Sequence, residues 1–171
     1  MIAQKIVHYF PGAQWNMTGE TYATLQWFGP GDKPTEAEFA ALPWPVITTD
    51  DVDRERDRRI EAGMVFNGVR YQTRAQDREN VAGASIMALA AMVNGAQPGD
   101  LRWHLSDPDA PDAKDFKWIA EDNAKHPFDA QTFFAFGQAM AAHKSAHIFA
   151  ARALKDEEVI PADFADDGYW Q

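Results

Sequence analysis

Residues 63–76 read Gly63-Met64-Val65-Phe66-Asn67-Gly68-Val69-Arg70-Tyr71-Gln72-Thr73-Arg74-Ala75-Gln76. The middle of this stretch is a hairpin signal. Asn67-Gly68 supplies the two positive-φ positions of a type I′ turn, and β-forming residues flank it on both sides. Two strands alone are marginal in water, so the ribbon must lean on another element. Thr73-Arg74-Ala75-Gln76 reads as a capping box that opens a helix over about 74–94, with Gly95 to end it. A ribbon feeding a capped helix predicts an α+β fold.

Upstream, Thr48 or Thr49 caps a helix over about 50–62, and Gly63 suits its left-handed C-terminal cap. Asp51, Asp53, Arg54, Glu55, Arg56, Asp57, Arg58, Arg59 and Glu61 fill this helix, and Val52 and Ile60 are almost its only apolar points. So charged a helix is expected in solvent or between subunits. Downstream, residues 81–93 are Ala-rich and carry Ile86, Met87, Leu89, Met92 and Val93. Apolar residues wrap most of the circumference, which predicts a central helix.

Asp129 caps a last helix over about 130–155, with Phe133, Phe136, Met140, Ala151 and Leu154 along one stripe. Small residues on both long helices allow close approach, and the connection is long enough for antiparallel packing. That connection, 96–128, holds Pro98, Pro108, Pro111 and Pro127. Trp103 and Phe116-Lys117-Trp118-Ile119 read as a second short β-pair over the helices.

The first 48 residues read as a small β-rich unit. A strand is expected over Lys5–Phe10 and an alternating one over Thr21–Trp27. Thr35 and Glu38 then form a capping box for a short helix, which Pro43 and Pro45 end. The expected organisation is a unit over 1–48, a helical domain over 49–155 with the hairpin at 64–71, and an acidic tail over 156–171.

Composition narrows the function classes. The chain has 171 residues, 16 Lys+Arg, 26 Asp+Glu, a net charge of −10 and no cysteine. Its acidity argues against nucleic acid and against an anionic membrane surface. No thiol chemistry is open to it. No apolar run approaches the length of a membrane span, and the N-terminus lacks the pattern of a signal peptide, so assembly in a cytoplasm is expected. Asp156, Glu157, Glu158, Asp163, Asp166 and Asp167 stand in the last sixteen residues with no Lys or Arg. The tail is either solvated or a docking segment with Phe164, Tyr169 and Trp170 as anchors.

His143 and His147 lie at i and i+4, the spacing of a zincin pair, but Lys144 stands where the general base would be. They read instead as helix-face histidines at a contact that protonation would make pH-sensitive. Ser145 points away from both, and Gly29-Pro30-Gly31 lacks the Lys and the following long helix of a phosphate loop. No catalytic residue, metal or cofactor is expected, and the chain is read as a non-enzyme. The candidate interface residues are Phe66, Tyr71, Trp15, Trp27, Phe164, Tyr169, Trp170, His143 and His147.

The stretches 58–73, 77–84 and 142–155 resemble a recurring module of tailed-phage tail proteins. In it an Arg-rich helix passes through a Gly into a Phe-x-Gly-x-x-aromatic hairpin and a capped helix. The likeness covers about residues 50–155. Trp15, Tyr22, Trp27 and Lys33-Pro34-Thr35-Glu36-Ala37-Glu38 are more loosely similar to the small N-terminal unit of some tail accessory and tail-assembly proteins. The module is a phage-associated domain of unknown function without known catalytic residues. The resemblance implies a structural component of a phage or prophage tail, near the tail tip, baseplate or fibre attachment. Its partners would be other tail proteins and copies of itself, and its place the virion. The alternative it implies is a tail-fibre or tail assembly chaperone absent from the virion.

Overall fold

The computed structural model describes residues 2–171. The chain is an α+β protein that divides into two compact units. The first comprises the N-terminal residues up to Thr48, with Ile160–Ala162; the second comprises Thr49–Val159 with Asp163–Gln171.

In the first unit, helix α1 (Ile2–Tyr9) precedes strands β1 (Gln14–Asn16) and β2 (Gln26–Gly29) and helix α2 (Glu36–Ala41). The strands are antiparallel, with Trp15 opposite Trp27. Ile6, Leu25 and Phe39 form the buried centre. The strand expected over Lys5–Phe10 is therefore a helix. Ile2, Ile6 and Phe10 pack on this centre, a spacing that fits a helix and a strand alike. What a strand could not arrange is the burial of the neighbours Lys5 and Ile6 together, because it would send them to opposite faces. The Lys5 Nζ donates to the carbonyls of Leu42 (2.6 Å) and Phe39 (3.3 Å) at the end of α2. A cation there meets the negative end of the helix dipole.

Strand β2 starts only at Gln26. Tyr22–Thr24 forms a 3₁₀ turn instead, because the Thr24 hydroxyl bonds the carbonyls of Thr21 and Thr18. The capping box of α2 forms as expected: Thr35 Oγ1 accepts from Glu38 N, and a Glu38 carboxylate oxygen accepts from Thr35 N.

The second unit runs α3 (Thr49–Glu61), β3 (Met64–Phe66), β4 (Val69–Tyr71), α4 (Ala75–Val93), β5 (Lys117–Ile119), β6 (Lys125–Pro127) and α5 (Ala130–Asp156). The Asn67-Gly68 turn has both φ values positive, at 49° and 78°. Gly63 closes α3 at φ 90°, where an added Cβ would lie 3.0 Å from the Tyr71 carbonyl. The N-cap of α4 is Arg74, one residue later than expected. Its N–H donates to Asp77 Oδ2 at 3.0 Å.

The long helices are antiparallel. Gln131 at the start of α5 donates to the Ala96 carbonyl beyond the end of α4 (2.7 Å), while Ser85 and Gly137 meet midway. α5 is the central element. Its other half receives α3, with Lys155 Nζ 2.6 Å from Asp53 Oδ1. So α3 packs within the unit through Val52 and Ile60 despite its charges. α4, expected to be central, buries only Val81 and Ala88. Alanine-rich sequence does not by itself define a buried face.

The second β-pair joins β5 to β6, with Trp118 opposite His126. Trp103 lies outside it as a buried ring whose Nε1 donates to the Phe128 carbonyl at 3.0 Å. The Glu121 N–H donates to the Arg70 carbonyl and ties the two hairpins together.

Candidate functional site

The expected interface residues fall into three settings. Trp15 and Trp27 are half-buried against the small core of the first unit. Trp27 packs edge-on against Phe10 at 5.5 Å and donates to the Gly31 carbonyl.

Phe66 and Tyr71 belong to the core of the second unit. Tyr71 is 2% exposed, with its ring centroid 4.7 Å from that of Phe136. Phe66 lies 5.3 Å from the same ring and 6.3 Å from Phe128. A hairpin of two three-residue strands has little surface to bury, so its aromatic residues are spent on attaching it to α5.

The third setting gathers the rest. The last residues fold back on their own unit instead of extending into solvent. Trp170 is 4% exposed, and its Nε1 donates to the Phe164 carbonyl at 2.7 Å. Tyr169 is 39% exposed and donates to Asp163 at 3.1 Å. The indole lies 6.2 Å from the His147 ring, which stands edge-on to His143 at 4.7 Å. The sequence singled out the His143/His147 pair and Trp170 separately; the fold brings them together.

Arg59 completes the cluster and was not picked out by the sequence. Its guanidinium sits 5.2 Å from the Trp170 ring and donates to the carboxylates of Glu55 (2.6 Å) and Asp167 (2.8 Å) and to the Ala165 carbonyl (2.7 Å). Five donors in a flat fork suit one residue to hold a helix and a tail at once. Among the ten charged residues on α3, nothing local marks Arg59 as one that turns inward.

The electrostatics follow. Burial depresses the pKa of His147, as do His143 and Arg59, against a smaller opposite effect of Glu55. His143 Nε2 and His147 Nδ1 are buried without a hydrogen-bond partner. Glu55 is held below the usual carboxylate range, chiefly by Arg58 and also by Arg59. Among the described residues no three His, Asp or Glu side chains converge as metal ligands. A cleft of about 210 Å³ opens between α4 and α5, floored by Val81, Gly137 and Met140 with Arg78 and Lys144 at its edge.

The outer side of α4 forms a different kind of surface. Ile86 is 71% exposed, Val93 79% and Leu89 43%, and Ala82 and Ala90 between them are exposed too. On a 3.6-residue helix these positions share one stripe, opposite Val81 and Ala88.

Residues 46–167 match the family model described as a domain of unknown function (DUF4376). The chain belongs to the DUF4376 family. No curated protein and no solved structure matches it. The DUF4376 match spans α3 to α5 and reaches Asp167, the partner of Arg59, but stops short of Trp170. The first unit, apart from its last residues and Ile160–Ala162, lies outside it.

Proposed function

We propose that this chain is a non-enzymatic structural component of a phage or prophage tail, near the tip, baseplate or fibre attachment, and works through protein–protein contacts. The observation that carries this reading is the uncovered apolar side of α4. Soluble monomers seldom leave a continuous stripe of branched side chains in water, and such stripes mark contact surfaces. The resemblance of residues 50–155 to the tail-protein module supplies the setting. The virion is then its location, after assembly in the host cytoplasm. Mass spectrometry of purified particles tests the proposal, with the chain expected in stoichiometric amounts. Absence from the particles, together with recovery of the chain on unassembled tail proteins, would identify it as an assembly chaperone instead.

A further inference from the structure

We propose that the cleft between α4 and α5 binds an extended peptide segment of a partner protein, one that carries an apolar side chain and a single carboxylate two residues away. The cleft is lined by Val81, Ala82, Gly137, Met140 and Ala141, with Arg78 from α4 and Lys144 from α5 at its edge. Val81 and Met140 are buried, so its floor is apolar and fixed.

The cation pair sets the charge of the ligand. Every arginine of the chain except Arg78 pairs with a carboxylate. Among the described residues no carboxylate lies at ion-pair distance from Arg78 or from Lys144, although the chain has 26 acids against 16 bases. Arg78 is also held in place. It is half-buried, and one guanidinium nitrogen donates to the carbonyl of Thr73. Thr73 is itself fully buried and bonded to Ile60 and Gly63. A guanidinium fixed through one nitrogen presents the rest of its flat donor fork to a carboxylate at little further cost in entropy.

The shape makes that ligand a segment of chain. The apolar cleft holds about 210 Å³. Small-molecule pockets run to roughly 300–1,000 Å³, so this one suits a single apolar side chain. A second hollow of about 350 Å³ lies beyond the same two cations, with Ile60 and Ile148 in its lining. Arg78 and Lys144 line both hollows and so stand at their boundary. In an extended segment residues i and i+2 point to one side, which puts the apolar side chain in the cleft and the carboxylate on the pair. Asp57 and Glu61 line the second hollow, Asp57 bound to Arg56 at 2.8 Å, and Glu61 disfavours a second acid there. The site is tested on the isolated chain, so it stands or falls apart from the tail assignment.

The probe is the peptide acetyl-Gly-Leu-Ser-Glu-Gly-amide, titrated into the full ¹⁵N-labelled chain and followed by NMR. Saturable shifts are expected at the amides of residues 78–82 and 137–144. Peptides with glutamine for the glutamate, or serine for the leucine, should each bind at least about tenfold more weakly, some 1.4 kcal/mol. Lys144→Glu and Ala141→Leu, one reversing the charge and one filling the cleft, should weaken the original peptide as much. Both positions are exposed, so melting should stay at the wild-type level. If either variant fails to fold, Lys144→Gln must still lower the affinity. Equal binding of the glutamine peptide would overturn the proposal, as would undiminished binding by the protein variants or the absence of shifts in the wild-type chain. Hexanoate carries the same two groups without a backbone. If it shifts these amides at lower concentration than the peptide does, the cleft is a site for a small carboxylate and the peptide assignment is wrong.

Discussion

At the scale of single residues, one buried hydroxyl ties two helices of the helical unit together. Thr73 is fully buried, and its hydroxyl donates to the Ile60 carbonyl at 2.6 Å while it accepts from the Gly63 N–H at 2.9 Å. It thus staples the end of α3 to the start of α4, whereas its sequence context predicts a helix cap. Thr73→Val keeps the shape and strands both backbone groups, so chemical denaturation should show a loss of about 1–3 kcal/mol. His147 gives the pH dependence. Its folded pKa lies below the ordinary 6.5, so the unfolded chain takes up the proton first as pH falls. The stabilisation is present above 6.5 and is lost as pH drops through the folded value. Melting temperature should therefore fall from pH 8 to pH 5, and His147→Phe should flatten that slope. An unchanged slope in the variant would place the dependence elsewhere. Asp129, held low by hydrogen bonds from Thr132 and Gly99 that outweigh its burial, contributes the same sign of dependence further down the scale.

At the scale of elements, the closeness of α4 and α5 is set by one glycine. A Cβ at Gly137 would lie 2.0 Å from Ser85 Oγ and 2.9 Å from Ser85 Cβ. Gly137→Ala should thus force the helices apart and cost about 1–3 kcal/mol, even though alanine suits a helix better than glycine does. Adding Ser85→Gly should restore much of the loss, because it vacates the same space; a double-mutant cycle by thermal melting measures this. Elements bounded by local chemistry were legible from sequence. The Asn67-Gly68 hairpin, the Gly63 and Gly95 terminators and the Asp129 cap, whose carboxylate accepts from Thr132 N at 2.7 Å, all stand as expected. One misread element, the turn at Tyr22–Thr24, has a local cause in the Thr24 hydroxyl; another, α1, is decided by partners distant in sequence. α1 is a helix because Leu25 and Phe39 receive its apolar side and the end of α2 receives Lys5.

At the scale of the whole molecule, Asp163–Gln171 of the acidic C-terminal segment are a folded part of the helical unit. Trp170 anchors it, and Arg59 holds its backbone and Asp167. Trp170→Ala should release residues 163–171, seen as faster amide exchange and earlier proteolysis there than in α5. Protection at the wild-type level in that variant would mean the Arg59 contacts suffice. Of the candidate cluster, the sequence showed that His143 and His147 share a helix face and that the tail carries aromatic anchors. It could not show that they meet, or that Arg59 joins them, since the distance between Arg59 and Asp167 along the chain is 108 residues. By itself the sequence determined the α+β class, the turns, most of the caps and the charge of each segment, because these depend on neighbours a few residues away. The tertiary structure alone decided which rings are core, as with Phe66 and Tyr71, and which apolar side chains remain in water, as with Ile86 and Val93. Burial is a relation between segments far apart in the chain, and an apolar helix offers more faces than its neighbours can cover.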